Sequence, residues 1–307
     1  MDTSEHLRLF VIGVLFAFVF VVACANATIL ARLLCRRSIN RAAKIIWPAL
    51  GLFVIACVLD AFYLEPDWIQ VTRHEFSTDK LRPGVRFRIV HLSDLHLTSI
   101  GVREIQMVNL TTIEQPDIIV ITGDHSVEKG TQTQSDLTQI AQRLAEVAPT
   151  YAIAGNWDIT RDMQALQKGG VRVLRNWTKV RNGRGAEIAL GMMHWFGDKP
   201  PETPAALRPD YRVLLCHAPF RFESVSKAGI DLTLAGHTHG GQVRLPLFGA
   251  LLPNRNLVGK YQCGLYRKGR ALLYVSRGIG MEGGRAPKIR FCCRPEIAVI
   301  DIVGKER

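Results

Sequence analysis

The sequence predicts an α/β layered domain preceded by an N-terminal transmembrane helical hairpin, and three observations carry that expectation. Apolar residues are concentrated in a dense block before about residue 65. After Pro66 the pattern changes to short, β-rich apolar runs that alternate with polar, helix-compatible stretches. Near-continuous Val, Ile and Leu runs mark strands buried on both faces, and alternation with helices marks an α/β sheet. Finally, Asp, Asn and His residues follow the ends of those runs, where open α/β sheets build their sites. The expected division is residues 1–64 for the hairpin and 65–307 for the domain.

The first apolar run, "LFVIGVLFAFVFVVACANATIL" from Leu9 to Leu30, carries no charge. It meets the requirement of about 20 helical residues for crossing a bilayer's hydrocarbon. The second, "IIWPALGLFVIACVLDAFYL" from Ile45 to Leu64, has similar reach, and its one charge, Asp60, lies near the far end. Trp47, Tyr63 and Trp68 stand where interfacial aromatics are expected. "VVAC" before Ala25 resembles a lipoprotein cleavage site, but the leading "MDTSEHLR" lacks the positive start of a signal peptide. The run therefore reads as a span. Between the two runs lie Arg32, Arg36, Arg37, Arg41 and Lys44, and the positive-inside rule places that loop in the cytoplasm. Both termini and the domain are then expected on the extracytoplasmic side of a cell membrane crossed twice.

Net charge is +12, from 39 basic and 27 acidic residues, and six basic against three acidic residues before Glu65 leave +9 on the remainder. A basic domain beside a bilayer suits anionic lipid surfaces or phosphate-bearing substrates. Its basic residues are dispersed rather than striped with aromatics, so nucleic acid is not an expected partner. The seven cysteines include no C-x-x-C pair and are irregularly spaced, which argues against a zinc knuckle and against a disulfide framework.

Strands are expected at "FRIVHL" (87–92), "DIIVIT" (117–122), "TYAIAG" (150–155), "EIALGMMHW" (187–195), "YRVLLC" (211–216), "DLTLAG" (231–236) and "ALLYVS" (271–276). A helix is expected from Thr133 to Val147. The polar residues come next. "HLSDLH" carries Asp94 and His96, "ITGDH" carries Asp124, and "AGNWD" carries Asn156. These sites recur about every 30 residues, the length of one strand–helix–strand unit, so the groups project from one edge of consecutive strands. "LLCHAP" and "LAGHTHGGQ" add His217, His237 and His239 after two further strands, with Gly155, Gly236, Gly240 and Gly241 allowing tight turns.

Taken singly, an Asp after a strand is a turn or helix cap and a histidine is a hydrogen-bonded structural residue. His6, His74, His91 and His194 stay in that class. A set of Asp, Asn and His at successive strand ends is different. It is a metal site, and mixed imidazole and carboxylate donors suit Mn, Fe or Zn better than Ca or Mg.

At these residues the sequence resembles the calcineurin-like metallophosphoesterase superfamily. The resemblance runs through "DLH", "GD", "GN", "H" and "GHTHGGQ" in order, over roughly residues 85–303. The closing "YVSRGIG" and "RPEIAVIDI" resemble its membrane-associated phosphodiesterase branch. The resemblance implies a four-layer αββα sandwich with two divalent metals in one cleft. Asp94, His96 and His239 would hold the first metal, Asn156, His217 and His237 the second, and Asp124 would bridge them. Such a pair activates a water and neutralises phosphoryl oxygens. The implied substrate is a phosphodiester or pyrophosphate, and the membrane hairpin makes an anionic, lipid-linked one the expectation.

One position departs from the pattern. Where the family reads Gly-Asn-His followed by Asp or Glu, this sequence has Trp157, which moves no proton at neutral pH. General acid catalysis is typically worth about 10²–10⁴-fold. Its loss matters most for a poor leaving group and least for a phosphate monoester leaving a pyrophosphate. Relatives that cleave the pyrophosphate of UDP-diacylglucosamine similarly lack the histidine. His125, beside Asp124, is the expected catalytic substitute, with a turn-supporting histidine as the alternative. Arg277 in "VSRGIG" suits either substrate phosphate or a structural ion pair. The competing class is a non-catalytic metal-binding membrane sensor or scaffold, for which Trp157 is the support.

Overall fold

The computed structural model describes residues 3–195, 197, 199–207, 210–251, 260–282 and 288–306, with side chains described from Phe10 onward. Helices α1 (Thr3–Leu34) and α2 (Arg41–Leu59) lead the chain. The stretches Phe10–Leu34 and Arg41–Asp67 are long and apolar enough to cross a membrane, and only 6% of an 18-residue apolar window in each is buried within the protein. Core helices of that composition would be covered. The two pack closely because Gly51 leaves room for Asn26, whose Nδ2 donates to the carbonyl of Trp47 at 2.8 Å. Asn40 starts α2 by accepting the amide of Ala42. Beyond Leu59 the helix widens into a π turn, Asp60–Leu64, then tightens into a 3₁₀ turn, Glu65–Asp67.

Two six-stranded sheets follow. The first has the order β1 (Gln70–Thr78), β14 (Glu296–Gly304), β2 (Arg86–Leu92), β3 (Ile118–Ile121), β4 (Thr150–Ala152) and β5 (Arg172–Val173). The second has the order β12 (Gly264–Lys268), β13 (Ala271–Val275), β9 (Leu232–Ala235), β8 (Tyr211–Cys216), β7 (Glu187–Met193) and β6 (Thr178–Arg181). Strand alternation assigns each side chain a layer. Ile118 and Val120 point between the sheets toward Leu190, Val213 and Leu234. Ile119 and Ile121 point outward onto Met107 of α3 (Val102–Ile113) and onto Leu137 and Ile140 of α4 (Thr131–Val147). Leu166 of α5 (Thr160–Lys168) joins the same outer layer. Leu214, Leu273 and Val275 face out on the other side, beneath Phe222 and Val225 of the short α6 (Phe222–Val225) and Tyr261. The result is the expected four-layer αββα sandwich, with a thin fourth layer.

Strands β2, β3 and β4 run parallel, as do β8, β9 and β13, so their carboxyl ends share one end of the sandwich. Strands β3, β4 and β7 stop short of Thr122, Gly155 and Trp195, because the backbone leaves extended geometry to deliver the polar residues. Strands β1 and β14 add to the expected set. β14 lies antiparallel to β2 and β1 lies parallel to β14, with Gln70 opposite Glu296. The chain therefore leaves α2 and enters the domain at the same end that carries the polar residues. All seven cysteines are free.

Candidate metal centre

The residues singled out at strand ends converge. Ligand atoms of Asp94, His96 and His239 lie within 4.8 Å of one another, as do those of Asp124, His217 and His237. The two groups meet at one carboxylate: Asp124 Oδ2 is 3.6 Å from His96 Nε2 and 3.2 Å from His217 Nε2. Asn156 joins the second group, its Oδ1 lying 2.9 Å from His217 Nε2. His96 Nε2 and His239 Nε2 approach to 3.0 Å, and His237 Nδ1 and His217 Nε2 to 3.2 Å.

Local backbone explains how consecutive turns present these groups. Asp94, His96, Asp124, His237 and His239 all have positive φ, between 40° and 70°. That left-handed region is costly for residues with a Cβ and clusters at functional sites. Glycines give room rather than freedom at two places: a Cβ on Gly155 would lie 2.2 Å from Asp124 Oδ1, and one on Gly236 would lie 2.3 Å from Asp94 Oδ2. Gly240 and Gly241 do have positive φ, as a tight turn requires. Asp158 fixes the turn beneath the site by accepting the amides of Asp124, His125 and Gly155.

The electrostatics fit divalent cations. Burial pushes the Asp94 carboxyl up to about 7, with the neighbouring Asp124 charge adding to the effect. Burial would also raise Asp124, but its hydrogen bond and ion pair with His217 hold it below the carboxylate range. Burial alone would depress His217; Asp124 outweighs it and holds the imidazole up at about 9. Burial depresses His96 and His237 to about 4 and holds His239 well below its ordinary value, keeping these rings in the neutral form that binds metal. The Nδ1–H of His217 donates to the Thr122 carbonyl at 2.7 Å, which turns Nε2 toward Asp124 and Asn156. Two buried carboxylates and four converging imidazoles thus form two candidate metal-holding groups that meet at Asp124.

A family model described as calcineurin-like phosphoesterase matches residues 87–241, from the first central strand through the His-x-His turn. The chain belongs to the calcineurin-like phosphoesterase family. Phosphodiesterase YaeI of Escherichia coli K12 is 32% identical over 257 residues, covering 78% of this chain and 91% of its own. The uncharacterized metallophosphoesterase YkuE of Bacillus subtilis 168 is 33% identical, covering 79% and 88%. A transmembrane protein with metallophosphoesterase domain from Danio rerio is 29% identical, covering 98% of this chain and 75% of its own.

Within this calcineurin-like phosphoesterase, Trp157 occupies the rim. Its amide donates to Asp124 Oδ1 at 2.9 Å, its ring meets His96 edge-on at 6.0 Å between centroids, and its side chain hydrogen-bonds Glu282. His125 is fully buried, and its Nε2–H donates to the carbonyl of Ile153 at 3.0 Å. That geometry speaks against the proton-donor role expected for it and fits a histidine supporting the turn. Arg277 pairs with Glu296 at 3.3 Å and donates to Gln70, as the structural alternative anticipated.

Sequence reasoning assigned no role to Asp158, Glu282 or Arg290. Arg290 is fully buried, and its guanidinium donates to the carbonyls of Arg277, Gly278, Gly280 and Cys293. The loop it grips holds the first ligand turn in place, with the amides of Ile279 and Gly280 donating to the carbonyls of Ser93 and Asp94. No sequence motif signals a cation whose partners are all backbone carbonyls.

Proposed function

We propose that this chain is a membrane-anchored, two-metal phosphoesterase that hydrolyses a phosphodiester or pyrophosphate bond in a lipid-linked substrate, a UDP-diacylglucosamine-like pyrophosphate being within its range. One observation carries the reading: two triads of ligand atoms meet on the carboxylate of Asp124. Asp94, His96 and His239 would hold one divalent cation, and Asn156, His217 and His237 the other, with Asp124 shared. When bound, such a pair supplies Lewis-acid charge over one phosphoryl group and lowers the pKa of a water.

The chain's own residues position and exclude. Thr122 orients the His217 ring, and the Trp157 amide holds one oxygen of Asp124 while the other faces His96 and His217. The indole covers the position of the family's imidazole and offers no proton to a departing alkoxide. A leaving group that departs unassisted, such as a phosphate monoester, suits this site. The two apolar helices support the anchor, the transmembrane relative agrees with it, and the basic loop between them supports an extracytoplasmic domain.

The test uses the full chain in lipid nanodiscs loaded with Mn, assayed on a soluble chromogenic phosphodiester and on a pyrophosphate diester. Turnover is expected, and Asp124→Asn is expected to lower it by roughly 10²-fold or more while reducing bound metal. A fully loaded protein that turns over neither substrate would favour the sensor or scaffold reading, for which Trp157 is the motivating residue.

A further inference from the structure

A short hairpin grows directly from the turn that carries His237 and His239. Its strands are β10 (Arg244–Leu245) and β11 (Gly249–Ala250), paired Arg244 to Ala250 and Leu245 to Gly249. Its base is tightly seated. A Cβ on Gly241 would lie 2.4 Å from the Cβ of Ala250, and Arg244 donates to the Gly240 carbonyl at 2.8 Å. Its tip is Pro246–Leu247–Phe248. Leu247 is fully exposed and adopts φ 65°, so the tip holds a branched apolar side chain in a left-handed conformation with none of the described residues covering it. An aqueous turn at such a position takes Gly or Asn.

The hairpin's neighbours say what covers it. Arg244 donates its amide to the Phe291 carbonyl, and Val243 bridges Phe291. One residue away, the Arg290 amide donates to the carbonyl of Ala61, in the π turn that ends the second apolar helix. Glu65, in the next turn, accepts the amides of Cys292 and Cys293. A single segment, 290–293, therefore touches the hairpin on one side and the helix end on the other. Exposed Tyr63, Leu64 and Trp68 lie along that helix end, and Arg294 stacks over the Trp68 ring at 3.9 Å. Aromatic and basic residues in this arrangement belong at a lipid–water interface.

We propose that the Pro246–Leu247–Phe248 tip inserts into the interface of the bilayer that α1 and α2 cross, forming a third attachment beside the metal cleft. The inference rests on the membrane-anchor reading above. A second copy of the chain is the weaker occupant, since a three-residue tip falls far short of the roughly 800 Å² that each partner buries in a stable complex. A bilayer needs no such area here, because the helices already hold the tip at high effective concentration next to lipid. The device presents the cleft to headgroups and assigns the site a substrate that stays in the leaflet.

The experiment places a tryptophan at the tip. Full-length Leu247→Trp and wild type are reconstituted in nanodiscs of phosphatidylcholine brominated on its upper acyl chain, and their emission is subtracted. The added indole is expected to emit blue-shifted and to lose about half its intensity or more relative to unbrominated discs. Ile113→Trp, at the far end of the sandwich, is expected to be unquenched. Phe248→Trp repeats the reading if the first variant folds poorly. An added indole that is unquenched, in discs where the native Trp47 emission is quenched, would overturn the insertion and leave the anchor standing. A blue-shifted but unquenched indole would assign the tip to a protein partner and overturn it too. Loss of quenching for the native tryptophans as well would remove the anchor itself.

Discussion

His125 and His91 illustrate how neighbours decide what an imidazole does. The His125 ring has no accessible surface and donates to the Ile153 carbonyl, while its own amide is held by Asp158. His125→Gln is therefore expected to leave the pH profile of turnover unchanged and to lower stability by about 1–3 kcal/mol, read from thermal melts in detergent. A shifted pH profile would restore it as a proton donor. His91 donates to the Thr122 hydroxyl, which in turn donates to Ser93, and its Nδ1 is buried without a partner. Burial depresses it to about 4 from an ordinary 6.5. Below pH 6.5 the unfolded chain takes up a proton that the folded chain refuses, so stability falls as pH drops toward 4, by about 3 kcal/mol in total. His91→Gln is expected to flatten that part of the acid-unfolding curve; an unchanged slope between pH 6.5 and 4 would refute the assignment. The convergence of the candidate ligand residues was legible because each follows an apolar strand. His125 was harder, since its neighbour Ile153 lies on another strand and the sequence does not reveal which carbonyl it meets.

At the scale of elements, the loop after β13 behaves as a bracket. Arg290 grips its carbonyls, and its amides grip the turn that carries Asp94. Arg290→Lys keeps the charge but cannot reach several carbonyls at once with a planar fork. We expect Mn affinity to weaken by about 10–100-fold, measured by metal titration, with a smaller effect on melting temperature. Equal affinity would mean that the bracket is not needed for the site. The central strands were readable from their apolar runs, whereas β1, "QVTRHEFST", was not. Its polar residues are tolerated because, among the described residues, it is an edge strand paired with β14. Such a strand shows in the fold and leaves little trace in hydropathy.

At the scale of the molecule, the end of the second apolar helix and the domain contact each other through 290–293, so we propose a boundary near Glu65 that is a joint rather than a linker. Glu65 is buried and caps the amides of Cys292 and Cys293. Glu65→Ala in the full chain is expected to cost about 2–4 kcal/mol, lowering the melting temperature of the domain even though the residue belongs to the helix end. An unaltered melt would mean that the two halves are merely tethered. The joint enters the sandwich at the pole where the strands deliver their ligands. With the helices anchored as proposed, the cleft would work at a nearly constant altitude above the leaflet. A headgroup diffusing in two dimensions would then arrive with its phosphates already level with the cleft, while a freely tumbling ester would have to find the gap from the side.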